Sequence, residues 1–162
     1  MAPRAAARLE TLGFKKVFEY KAGKEDWLAA GLPSEGRRAS DPTVAMVVRS
    51  DVPRFGLEDL AGSILEILTA GGWDWAAIVN SDGVLLGRVR ARDITDPDLC
   101  ASALMEDGPA TYRLNVPLEE LLERMRDKQF EMAFVTDQDG RLKGLVTMGD
   151  IVKALEAHRR VA

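Results

Sequence analysis

The chain writes one pattern twice at a fixed offset. The heptad "GLVTMGD", Gly144 to Asp150, stands in the same frame as "GRVRARD", Gly87 to Asp93, 57 residues earlier (144 − 87). The agreement runs well past the heptad. Gly83 meets Gly140, Ile78 meets Val135, Trp73 meets Phe130 and Trp75 meets Met132. Upstream, Leu57 meets Leu114, Leu65 meets Leu122, Glu66 meets Glu123 and Leu68 meets Met125. Apolar falls on apolar and Gly on Gly, so the two copies share backbone geometry. Such self-similarity constrains the fold more than any single motif, because both copies must solve the same packing problem.

Copy two is read as follows. "PATYRL" opens it as a short strand. In "NVPLEELLERMRDKQ", Leu118, Leu121, Leu122 and Met125 fall at i, i+3, i+4 and i+7, which makes one helix face apolar. Asn115 is the expected N-cap. "MAFVT" is a buried strand, "DQDG" a turn in which Gly140 takes positive φ, and "RLKGLVT" the returning strand. A last helix starts near Met148 and turns Ile151, Val152 and Leu155 to the core. Copy one repeats this: a helix near 57–69 closed by Gly71 and Gly72, strand "AAIVN", turn "SDG", strand "VLLGRVR" and Asp93, with Pro97 cutting the last helix short. Each copy is thus β-α-β-β-α. About 57 residues bury too little surface to stand well alone. The expected fold class is α+β: two repeats, 44–105 and 106–162, packed with pseudo-two-fold symmetry around one core.

The bulk numbers narrow the function classes. The 162 residues are 46% hydrophobic and 30% charged, which suits a folded protein. No apolar run nears the roughly 20 residues that span a bilayer, and "MAPRAAARLETLGF" lacks a signal-peptide core. One cysteine, Cys100, excludes an internal disulfide framework and makes a reducing cytoplasm the expected location. Net charge is −4 and uneven: residues 1–40 hold eight Lys/Arg against five Asp/Glu, and residues 41–162 hold fourteen against twenty-one. An acidic body argues against non-specific nucleic-acid binding.

"FVTDQDGRLKGLVTMGDIVKAL" resembles the end of a CBS domain, and "AIVNSDGVLLGRVRARDI" resembles a second. CBS domains occur as tandem pairs called Bateman modules, and the resemblance covers about residues 42–160. The heptad also has a reading of its own. A strand ending in Thr147 delivers its hydroxyl to the mouth of a helix, whose first N–H groups suit a phosphate. Asp150, one turn in, is an acceptor suited to sugar hydroxyls. The resemblance implies the same two roles, threonine for phosphate and aspartate for ribose, in an adenosyl-nucleotide site. By position it also implies an adenine wall of Val52, Trp73 and Asp74 from copy one with Leu145 and Met132 from copy two. The plainer alternative is that Asp150 favours a helix start and Thr147 is an ordinary strand residue. In copy one Arg90 replaces the threonine, on the same strand face as Arg88. Arg90 has three readings: it forks onto phosphates, fills the site, or pairs with Asp93 and closes it. A closed or altered second site at Arg90 and Asp93 is the expectation.

Residues 1–36 resemble another family. "LETLGFKKVFEYKAGKEDWLAAGLPSEG" is similar to the C-terminal tail of a rhodanese domain, with "KKVFEY" as a strand and Trp27 in a helix. Rhodaneses transfer sulfur through an activated cysteine, and the part carrying that loop is missing. Cys100 lies in "DLCASALME", away from such a context, and reads as a small buried hydrophobe. Sulfur transfer is therefore rejected, and 37–43 is the expected linker after this short α/β tail.

"DQDG" resembles the start of an EF-hand loop, but the twelfth position from Asp137 is Met148, not a bidentate carboxylate. The single histidine, His158, is far in sequence from Cys100, so neither zinc nor a Cys–His pair is suggested. Glu119, Glu120 and Glu123 are spaced as a solvent face. The expectation is a regulatory module and not an enzyme, a homodimer that needs no cofactor or metal. It would sense AMP, ADP, ATP or S-adenosylmethionine between its repeats. The rival is a ligand-free CBS scaffold for dimerisation or protein docking.

Overall fold

The computed structural model describes residues 2–18, 20, 23–30, 32–36 and 41–161. The chain divides into two compact units, Met1–Pro33 and Ser34–Ala162. Most of the expected linker, 37–40, lies outside the described residues.

The first unit holds helices α1 (Ala2–Thr11) and α2 (Gly23–Ala29). Within it the Tyr20 hydroxyl donates to Asp26, the Tyr20 and Trp27 rings meet edge to face at 5.5 Å, and the Trp27 indole donates to the Pro33 carbonyl at 2.8 Å. No strand forms over the described part of "KKVFEY". The rhodanese-like strand is therefore not found, and the described tail is helical rather than α/β. Glu19 of that stretch lies outside the described residues.

The second unit runs β1 (Arg54–Phe55), α3 (Ala61–Gly71), β2 (Trp75–Val79), β3 (Leu85–Arg90) and α4 (Ala101–Leu104) through the first repeat and opens the second with β4 (Glu106–Asp107). It continues with β5 (Thr111–Tyr112), α5 (Leu118–Asp127), β6 (Met132–Thr136), β7 (Leu142–Thr147) and α6 (Met148–Val161). One sheet has the order β1-β2-β3-β4 and the other β5-β6-β7. The offset of 57 holds down to register. Arg54 pairs with Ala77 as Thr111 pairs with Phe134, and the irregularity at Ile78/Val79 recurs at Val135/Thr136.

Each sheet borrows its last edge from the other repeat's approach. Glu106 pairs with Arg88, and Arg49, which is 57 residues before Glu106, pairs with Leu145. Gly144 is needed for this approach, since a Cβ there would stand 2.1 Å from the Arg49 carbonyl oxygen. Gly87 does the same for Glu106, at 2.8 Å. This is why the heptad keeps its first glycine twice. Repeat 1, expected over 44–105, thus lends its first residues to the sheet of repeat 2.

The same crossing corrects the expected caps. α5 starts at Leu118 with Pro117 before it, and no side chain caps it. The Leu118 N–H donates to the Pro42 carbonyl, and the Val116 and Leu114 carbonyls accept from Val44 and Ala45. The crossing segment therefore serves the helix start, and Asn115 keeps a buried Oδ1 without a partner. α3 likewise begins later than residue 57, because Leu57 and Asp59 accept from Ser102 and Ala101. Gly72 closes α3 at φ 66°, and its counterpart Gln129 holds φ 54° without being glycine. After β3, Ala91–Asp93 make only a 3-10 turn where the other repeat has α6.

Among the described residues three clusters form the core. One lies under α5 and α6 and includes Leu118, Met125, Val146 and Ile151. A second lies under α3 and includes Ile64, Leu68, Ile78 and Val89. The third, Val52, Ala77, Phe134, Leu142 and Leu145, draws on both repeats and makes them one body. Its four larger side chains each contribute roughly 1.5–3 kcal/mol by leaving water. At its edge the hairpin turns exchange two bonds, Leu85 N–H to Gly140 at 3.0 Å and Leu142 N–H to Gly83 at 2.9 Å. Cys100 is half-buried just before α4. Among the described residues no helix is long and apolar enough to cross a membrane.

Candidate functional site

A cleft of about 820 Å³ opens where the ends of the two sheets meet. Repeat 1 supplies Trp73, Asp74 and Trp75, and repeat 2 supplies Met132, Leu145, Thr147 and the first turns of α6. Five of the seven expected nucleotide residues therefore come together: Trp73, Asp74, Met132, Leu145 and Thr147. Asp150 adjoins the lining through Thr147. Val52 is placed elsewhere: it is 5% exposed, in the central cluster beneath the cleft.

The end of β7 and the start of α6 form a reciprocal cap. The Thr147 hydroxyl donates to Asp150 Oδ2 at 2.7 Å, and the Asp150 N–H donates to Thr147 Oγ1 at 3.2 Å. A hydroxyl and an acid three residues apart at a helix start serve each other in this way. The plainer reading of Thr147 and Asp150 thus has a structural basis. The cleft wall has an aromatic face as well. Trp73 is half-buried, and the Arg49 guanidinium carbon lies 4.5 Å from its ring centroid. Arg49 is itself held by Asp51 at 3.1 Å. The Asp51 hydrogen bond raises the arginine's affinity for its proton, and the Asp150 charge adds to the effect. In return the Arg49 hydrogen bond holds the Asp51 carboxyl below its ordinary range.

The second position looks different. Arg90 lies 3.9 Å and Arg88 4.3 Å from the Trp75 ring centroid, and Arg88 also pairs with Glu106 at 2.6 Å. Asp93 pairs with Arg92 at 3.6 Å, so the ion pair from Arg90 to Asp93 is not the contact made. Arg90 instead covers an indole.

Sequence reasoning missed Arg49, Trp75, Glu131, Lys153 and Glu156, all of which line the cleft. Lys153 and Glu156 follow Asp150 at i+3 and i+6 along one helix.

Comparison with known proteins agrees with this fold. Residues 101–157 match the model of the CBS domain family. The structure superposes on CBSX2 in complex with AMP with a TM-score of 0.65 at 20% identity, over 72% of this chain and 98% of that one. It superposes on the cytosolic domain of the Mg2+ channel MgtE in complex with ATP with a TM-score of 0.64 at 23% identity, over 70% and 48%. The chain has the fold of a CBS domain pair. In sequence this chain is 33% identical over 82 residues to the magnesium transporter MgtE of Thermus thermophilus, which is 49% of this chain and 18% of that protein. The chain spans about a fifth of the length of the curated relatives it matches. The likeness of residues 1–36 to a rhodanese tail finds no support.

Proposed function

We propose that this CBS pair is a regulatory module that binds an adenosyl compound in the cleft between its repeats. The observation that carries the reading is the joining of Trp73 from one repeat to Thr147 and the start of α6 from the other in one open cleft. The indole offers a flat face for a purine, Asp150 offers a carboxylate to ribose hydroxyls, and the helix start offers N–H groups to a phosphate. Structural neighbours solved with AMP and with ATP support the same ligand class. Because residues of both repeats line the cleft, a ligand there holds them in one arrangement. A change of state follows if it prefers that arrangement over another. Two copies would pair through exposed apolar side chains such as Ile67 on α3 and Met46, 51% and 71% exposed.

A second reading has its own observations. Thr147 and Asp150 bond to each other, and Arg49 lies over Trp73, as in a cleft that serves structure alone. Calorimetric titration with AMP separates the two, using wild type beside Asp150→Ala with both melting curves recorded. The sensor gives saturable binding that the folded variant loses. The scaffold gives no heat in protein freed of carried-over nucleotide.

A further inference from the structure

Charge is unevenly distributed around the cleft. Its lining has two cations, Arg49 and Lys153, and three carboxylates, Asp74, Glu131 and Glu156. Arg49 is neutralised by Asp51. Among the described ion pairs Lys153 has no partner, and neither have the three carboxylates. Asp150, bonded to the lining Thr147, adds a fourth carboxylate. With Arg49 and Asp51 counted as neutral, one formal positive charge faces four negative ones.

The helix start, which would receive phosphate, is also partly engaged. The Met148 N–H donates to the Glu131 carbonyl at 2.8 Å, and the Asp150 N–H donates to Thr147 Oγ1. The Thr147 hydroxyl hydrogen is directed at Asp150. Three donors that a polyphosphate would use are therefore already bonded within the protein, and repelling carboxylates stand around them.

We infer that the cleft selects adenosyl ligands of low negative charge over a triphosphate. The class it takes is a nucleoside monophosphate, or an adenosyl group whose substituent is cationic, such as a sulfonium. This rests on the adenosyl reading above and narrows it. Each added phosphate charge meets the same acidic wall across solvent, so the penalty grows with phosphate number and weakens with salt.

The test is calorimetric titration of the full chain in EDTA with AMP, S-adenosylmethionine and ATP, at 0.15 M and 0.5 M salt. EDTA keeps ATP free of a divalent cation that would mask its charge. AMP and S-adenosylmethionine are expected to bind about tenfold tighter than ATP, with a smaller gap at high salt. The exposed-site double variant Glu131→Gln, Glu156→Gln is expected to narrow the gap at low salt. ATP binding as tightly as AMP overturns the inference and leaves the adenosyl reading standing. A gap unmoved by both salt and the double variant overturns charge as its cause. Saturable binding of none of the three overturns inference and reading together.

Discussion

The guanidinium of Arg49 lies over the ring of Trp73, 4.5 Å from its centroid, and both side chains line the cleft between the repeats. On the proposed adenosyl reading, a ligand base stacked on that face and the arginine compete for one surface. An exposed contact of this kind is worth about 0.5–1 kcal/mol. Arg49→Ala is therefore expected to tighten adenosine binding about two- to fivefold, measured by fluorescence titration. Adenosine is the right probe because it carries no phosphate for the arginine to meet. Trp73→Ala is expected to weaken binding about tenfold, since stacking on an aromatic side chain is worth about 1–3 kcal/mol per base.

The cap at α6 serves stability whether or not a ligand binds. Thr147→Ala removes the acceptor of the Asp150 N–H and the donor to its carboxylate. Loss of such a cap costs about 1 kcal/mol. Urea unfolding of the free protein should show that loss, and Thr147→Ser, which keeps the hydroxyl, should restore most of it.

Gly144 admits the crossing strand. An alanine Cβ there would meet the Arg49 oxygen at 2.1 Å and the Val48 side chain at 2.9 Å. The paired bonds between Arg49 and Leu145, 2.8 and 3.0 Å, would have to open. Gly144→Ala is expected to cost roughly 1–3 kcal/mol, as overpacking does. The same variant should raise hydrogen exchange at the Arg49 and Leu145 amides more than elsewhere. Gly87→Ala should cost less, because part of its clash is with the flexible Met105 side chain.

One turn carries a pH dependence. Burial pushes the Asp137 carboxyl up, but the Lys143 ammonium 3.0 Å away and the N–H groups of Arg141 and Asp139 together outweigh it, and its pKa ends below the ordinary 3.8. A carboxyl depressed on folding stabilises the protein above its unfolded pKa, and that contribution is lost as pH falls through the folded value. Stability should therefore decline as pH falls below about 4. Asp137→Asn should flatten that part of the profile without disturbing the turn. The other repeat already has Asn80 at this place, accepting from Asp82 and Val84 at 3.0 and 2.9 Å. Denaturant melts between pH 6 and pH 3 make the comparison.

Much of this molecule was legible in one chain because it is written twice. Matched glycines and apolar positions gave the strands, turns and helices of both repeats, and the heptad located Thr147 and Asp150. What escaped was the crossing. Nothing in periodicity shows that 42–49 pairs with the later repeat, so the sequence points to Asn115 as a cap where the Pro42 carbonyl serves instead. Arg49 was missed because its side chain reaches Trp73 only across that long-range pairing. The arginine at 90 was visible, but whether it met Asp93 or an indole depended on cross-strand register with Trp75. "KKVFEY" was a strand only by its resemblance to a rhodanese tail, yet a strand needs a partner edge, and its described residues have none.

The most direct measurement is photolabelling with 8-azidoadenosine 5′-monophosphate, followed by peptide mapping. Binding between the repeats places the label on peptides containing Trp73 to Trp75, or Met132 and Leu145, and AMP in excess abolishes it. Labelling that AMP does not compete away, or that falls on peptides remote from the cleft, would contradict an adenosyl site there.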